Sequence, residues 1–236
     1  MIGFSTGAIA YSNFRAGLQV LGEQNVTVVE ISALRMTEWQ PLMQAFDHLD
    51  LSAFDFVSIH LPSEMNATEE AFVTQSLRAI QHRKYPLILH PDVITDFGRW
   101  RELGKLICVE NMDKRKAIGR TEVELDVIFR QLPEARFCFD IGHAWQVDPT
   151  MTEAYSILKC YREKLTQIHA SEVNSRSKHD KLSYATIQSF RDVAHMIPAG
   201  LPIILETPVS PNEMRDEMNK ARFALTPLGS PSELVA

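Results

Sequence analysis

At 236 residues, 45% hydrophobic and 23% charged, the chain has a globular composition and enough length to bury one large core. Its formal net charge of -6 disfavours a protein built to grip a phosphate backbone, so a nucleic-acid partner is not expected. No apolar run reaches about 18 residues, so no membrane-spanning helix is expected, and the opening Met1-Ile2-Gly3-Phe4-Ser5 reads as a first strand of a cytoplasmic protein rather than a signal peptide.

Short apolar runs alternate with longer amphipathic ones. Strands are expected at Ile2–Ser5, 26–31, Phe56–His60, 86–90, 106–110, Arg136–Asp140, 165–169 and 202–206. Helices are expected at 13–21, 37–48, 69–82, 122–132, 152–163, 186–196 and 213–222, with a short or irregular one before Leu103. The strand runs are continuous rather than alternating and rich in Val, Ile, Leu and Phe, the pattern of parallel strands buried on both faces. Eight such units predict an α/β chain folded as a single (β/α)8 barrel over 1–225, followed by an extended or partly disordered tail over 226–236. An open doubly wound sheet is the alternative, weakened because no Gly-x-Gly-x-x-Gly or Walker loop follows any strand. The stretch 171–184 is long, polar and mixed in charge and is read as a loop. Of the three cysteines, Cys108 and Cys138 fall inside apolar runs and read as buried small hydrophobes of a reducing compartment.

In a barrel, all the strand C-termini meet at one face. This sequence places Ser5-Thr6, Glu30, His60, His90, Glu110, Asp140, His169 and Glu206 there. The third to the eighth strand each end in a metal-ligand residue type. The chain has eight histidines; His60, His90 and His169 end strands, and His143 and His179 follow strands six and seven. Carboxylates and imidazoles at buried strand ends need partners, and a divalent cation is the usual one. One such residue is as often structural as functional, but six converging on one mouth point to a site. Glu30 either projects into the mouth or pairs with Arg35. His48, His82 and His195 lie on predicted helices and read as structural. Lys114-Arg115-Lys116 is either a surface loop or an anion clamp over the site, and the charged run 159–164 is a solvated helix face.

Four segments carry a resemblance: Ile107-Cys108-Val109-Glu110-Asn111, Phe139-Asp140-Ile141-Gly142-His143, Ile168-His169 and Leu205-Glu206-Thr207. With them the chain resembles, over essentially its whole length, the xylose isomerase-like barrel superfamily. That superfamily joins sugar isomerases and epimerases with the endonuclease-four type of apurinic-site nucleases. The resemblance to the isomerases implies one divalent metal, zinc or manganese, on Glu110, Asp140, His169 and Glu206. It implies Glu110 and Glu206 as the catalytic acid–base pair and His143, His179 and Arg176 as substrate contacts. Arg176 stands near, and out of register with, the arginine of the ketohexose epimerases. The resemblance to the nucleases adds His60 and His90, which with Glu110 match a first zinc, while His143 and His179 match two ligands of a third. The remaining third-zinc ligand in the nucleases is an aspartate two residues before the histidine. Here that position is Ser177, with Asp180 adjacent.

The leading expectation is a metal-dependent isomerase or epimerase acting on a small carbohydrate-like hydroxy-carbonyl compound through a metal-stabilised enediolate. The alternatives are a multi-zinc phosphodiesterase and a multinuclear metal oxidase. The short loops and the residue at 177 weigh against the phosphodiesterase, and a homo-oligomer is left open.

Overall fold

The apolar runs pair side by side, all parallel, and close on themselves. The structure is a computed structural model that describes residues 1–11 and 13–227. The strands are β1 (Ile2–Ser5), β2 (Val28–Ser32), β3 (Phe56–His60), β4 (Leu87–Leu89), β5 (Ile107–Glu110), β6 (Arg136–Asp140), β7 (Leu165–Ala170), the short β8 (Glu172–Val173) and β9 (His179–Asp180), and β10 (Ile203–Leu205). The barrel order is β1-β10-β7-β6-β5-β4-β3-β2, while β8 and β9 form a separate antiparallel pair. The expected (β/α)8 barrel is therefore what the chain adopts. The tail expected over 226–236 falls almost wholly outside the described residues.

The helices are α1 (Thr6–Ala10), α2 (Phe14–Glu23), α3 (Met36–Ala45), α4 (Ala67–Ile80), α5 (Phe97–Arg101), α6 (Glu122–Gln131), α7 (Ile141–Val147), α8 (Thr152–Tyr161), α9 (Tyr184–Ala194) and α10 (Met214–Leu225). Trp39, Trp100, Phe137, Phe190 and Leu42 are fully buried within the main core. A separate small cluster, Ile88, Cys108 and Cys138, lies buried apart from it. Among the described residues no helix is long and apolar enough to cross a membrane.

Two departures from expectation shape the site. First, α1 and α7 start at the residue after their strands, with no loop between. Ser5 and Asp140 are strand ends and helix N-caps at once: Ser5 Oγ accepts from Gly7 N at 3.2 Å and Asp140 Oδ1 from His143 N at 2.6 Å. A capping oxygen takes up a first-turn N–H that would otherwise lack a partner. Second, the loop expected over 171–184 contains the β8–β9 hairpin, in which Val173 pairs with His179. The hairpin sits against α7, where Gly142 is required: a Cβ there would lie 2.3 Å from the Ser171 carbonyl oxygen.

The expected short segment before Leu103 is α5, and a buried carboxylate anchors it. Glu70 is fully buried and accepts from Thr95 N at 3.0 Å, Asp96 N at 3.2 Å and the Trp100 indole at 2.5 Å. This carboxylate is fully employed in structure.

Candidate metal centre

Glu110 is the hub of the barrel mouth. It ends β5 and is 1% exposed. Its Oε2 lies 3.3 Å from Nε2 of both His60 and His90. Its Oε1 lies 3.3 Å from His169 Nδ1 and 3.4 Å from His143 Nδ1. The two oxygens thus face different partners. Two ligand sets share this residue: His60, His90 and Glu110, and Glu110, Asp140, His169 and Glu206. In each set the candidate ligand atoms lie within 4.8 Å of one another. All six residues expected as metal ligands come together.

The register explains the convergence. Asp140 of β6 stands beside His169 of β7, and Ile204 of β10 stands on its other side. His90 and Glu206 each fall just past the last paired residue of their strands, where the chain turns into the mouth. Asn111 locks two strands in place: its side chain donates to the Asp140 carbonyl at 2.7 Å and accepts from Asp140 N at 2.8 Å.

The histidines are also oriented. His60 Nδ1 lies 2.8 Å from the Leu61 carbonyl oxygen and His143 Nδ1 lies 2.9 Å from that of Asn111. A carbonyl only accepts, so these Nδ1 atoms carry protons, and Nε2 is the nitrogen each ring turns toward the mouth. His169 is turned the other way: Nε2 lies 3.0 Å from Glu30 Oε2, which leaves Nδ1 toward Glu110 and Glu206, the latter at 3.6 Å. This is the outer-shell hydrogen bonding that fixes metal-binding histidines.

Glu30 corrects one of the two sequence readings. It does not pair with Arg35, whose guanidinium instead holds Glu38 at 2.6 Å. Alternation along β2 turns Glu30 inward, fully buried. There its Oε2 accepts from Ser58 Oγ at 3.0 Å, Gln167 Nε2 at 2.7 Å and His169 Nε2. Replacing it with Gln (Glu30→Gln) should weaken divalent-metal binding by about 10–100-fold, the usual effect of losing an outer-shell partner. A competition titration against a coloured chelator measures this, and an unchanged affinity would remove Glu30 from the centre.

The residues fit a cation chemically. Asp140 Oδ2, Glu30 Oε1 and His90 Nδ1 are buried with no hydrogen-bond partner, and Glu110 Oε2 meets only the two histidine nitrogens at 3.3 Å. A buried charged oxygen in that state is costly, and carboxylate with imidazole is a donor set suited to zinc, manganese, iron or cobalt. The electrostatics agree. Burial would pull His60 down, but the hydrogen bond to Glu110 and the charges of Glu30, Glu110 and Glu206 push it up to about 9. Burial pushes Asp140 up to about 8, aided by Glu206 and Glu110 and opposed by His143. Burial would raise Glu110 too, but His169 and His90 hold it well below the usual carboxylate range. Burial keeps His90 and His179 below the ordinary histidine value, as neutral ligand forms.

Above the hub opens a cavity of about 730 Å³. His143 and His179 line it with their ring centroids 5.6 Å apart. Neither joins a described metal set. The position of the expected third-zinc aspartate, Ser177, is 7% exposed. Its Oγ donates to Asp113 Oδ1 at 3.0 Å and accepts from Gln146 Nε2 at 2.7 Å. Asp180 is exposed and accepts from Asn174 Nδ2 at 3.4 Å. Arg176 is exposed as well, its backbone N–H turned to Asn174 Oδ1, and it does not line the cavity. The arginines that do are Arg35 and Arg115, joined at the rim by Lys116, Lys178 and Tyr11. Arg115 and Lys116 belong to the basic run already visible after Glu110; Lys178 and Tyr11 carried no sequence signal.

No protein-family model matches the chain, and no curated protein matches it. Solved structures do. The IOLI protein with a bound zinc atom aligns with a TM-score of 0.61 at 10% identity, covering 95% of this chain and 97% of that one. A xylose isomerase domain protein from Alicyclobacillus acidocaldarius aligns at 0.61 and 12% identity, covering 95% and 98%. The 3-keto-D-glucoside 4-epimerase YcjR from E. coli, in its apo form, aligns at 0.55 and 11%, covering 94% and 98%. At these identities the likeness is one of fold: this chain shares its whole barrel with proteins so described.

Proposed function

We propose that this chain belongs to the xylose isomerase-like superfamily and is a divalent-metal-dependent isomerase or epimerase of a small, carbohydrate-like hydroxy-carbonyl compound. One observation carries the reading: Glu110 and Glu206, two carboxylates suited to proton transfer, belong to one metal-ligand set and line one cavity. The bound zinc of one neighbour and the epimerase and isomerase descriptions of others support it. A divalent ion, zinc or manganese, on Glu110, Asp140, His169 and Glu206 would supply Lewis-acid polarisation of a carbonyl and its neighbouring hydroxyl. The protein's own groups do the rest. Glu206, held ionised against its burial by His169 and His179, takes a carbon-bound proton. Glu110, the second carboxylate of the set, supplies a proton to that carbon after taking one up from solvent. His143 Nε2 and His179 hold substrate oxygens.

The test is solvent exchange. Loaded protein incubated in deuterium oxide with ketoses and keto-glycosides should introduce deuterium at the carbon beside the carbonyl. The set His60, His90 and Glu110 favours a second reading, a phosphodiesterase in which this set and the Asp140–His169–Glu206 side would hold two ions that would supply charge neutralisation to a phosphate. Incision of abasic-site duplex DNA, with two or more metals per chain and no deuterium exchange, would replace the first reading with the second.

A further inference from the structure

One side of the cavity mouth is lined by three cationic side chains, while the acceptors beside them, Asp113 and Ser177, are already taken up by Arg115, Gln146 and each other. Arg115 and Lys116 come from the β5–α6 connection, which is closed by the bond from Met112 N to the Gly119 carbonyl at 2.8 Å. Lys178 comes from the β8–β9 turn. All three line the cavity.

Arg115 is held in place. Buried Asp113 accepts from its backbone N at 2.7 Å and from its guanidinium at 3.3 and 3.4 Å. Its Nη2 also donates to the Ser177 carbonyl at 3.1 Å. Ser177 has a φ of 52°, a left-handed conformation disfavoured for a non-glycine residue, fixed here by Asn174, Gln146 and Asp113. With Nε and Nη2 engaged, Nη1 makes no hydrogen bond among the described residues, and the side chain is 57% exposed. Lys116 is held from the other end by Asp92 at 2.7 Å. Lys178 is exposed and its ammonium makes no ion pair among the described residues.

A neutral sugar presents hydroxyls that both donate and accept, and is best met by a mixed wall. A wall of guanidinium and ammonium groups matches a ligand that only accepts, and charge-assisted bonds from a fork such as Arg115 suit phosphate and carboxylate oxygens best. We propose that the substrate carries an oxyanion, a phosphate or carboxylate group, that docks on Arg115 and Lys178 with Lys116 beside them. This deepens the isomerase reading and rests on it for the substrate being a small molecule.

Calorimetric titration of the metal-loaded chain with inorganic phosphate and, separately, with malonate tests it. Binding of either is expected, and the stronger binder names the group. Arg115→Ala should weaken that binding by about tenfold or more. Arg115→Lys should fall between Arg115→Ala and the wild type. Lys178→Ala removes a side chain with no partner to lose and should weaken binding as well, which separates anion capture from a loosened loop. Elemental analysis should find the metal content of all three variants unchanged. Absence of binding by both anions, or equal binding by wild type, Arg115→Ala and Lys178→Ala, overturns the proposal. If the chain proves to hold no metal yet the variants still lose anion binding, the function proposed above fails while this assignment stands.

Discussion

Glu110→Gln should leave a folded barrel stripped of its metals. Glu110 is the one residue shared by the His60–His90 set and the Asp140–His169–Glu206 set. Its two oxygens face different histidines, and an amide offers one acceptor and one donor where the carboxylate offers two acceptors. The loss of affinity at both sets should exceed the about 10–100-fold typical of an outer-shell change, and turnover should go with it. Circular dichroism should show the wild-type secondary structure. The amide is isosteric, and Glu30, Asp140 and Glu206 would no longer crowd a further negative charge. Elemental analysis of protein purified without chelator reads the result. Metal content equal to the wild type would mean that the centre is not built around this residue.

Glu206→Gln should behave differently. Glu206 lines the cavity and its side chain is 12% exposed. The substitution leaves His60, His90 and Glu110 intact, so part of the metal capacity should survive. Turnover should not: removing a general base alone lowers rates by about 10²–10⁴-fold, and a ligand charge is lost as well. Deuterium exchange into substrate should disappear in parallel. Wild-type activity in this variant would make the assignment of Glu206 wrong.

The barrel was readable because strands buried on both faces leave unbroken apolar runs, and the convergence of the six candidate ligands because the fold sends every strand end to one face. The inward role of Glu30 was not readable. A sequence shows the charge between Val29 and Ile31 but not that Gln167 and His169, far along the chain, close over it. The start of α7 was hidden for a related reason. Asp140 caps that helix through its own side chain, so no turn residue marks the boundary. Arg176 was the expected arginine, yet Arg35 and Arg115 line the cavity; which side chains of 171–184 face inward is set by the β8–β9 hairpin and its packing on Gly142. None of that follows from polarity alone.

The small cluster of Ile88, Cys108 and Cys138 has a further consequence. These side chains are fully buried, and burial pushes the Cys108 thiol up to about 12, so it is inert as a nucleophile. With Glu30, Ser58 and Gln167, also fully buried, they stopper the barrel beneath the centre. Among the described residues this layer shuts the barrel below, and the cavity at the strand ends is the approach to Glu110. Whatever reaches Glu110 leaves the way it came, and a departing product must clear the passage before the next molecule enters. That traffic suits a reaction in which one molecule goes in and one of the same size and composition comes out.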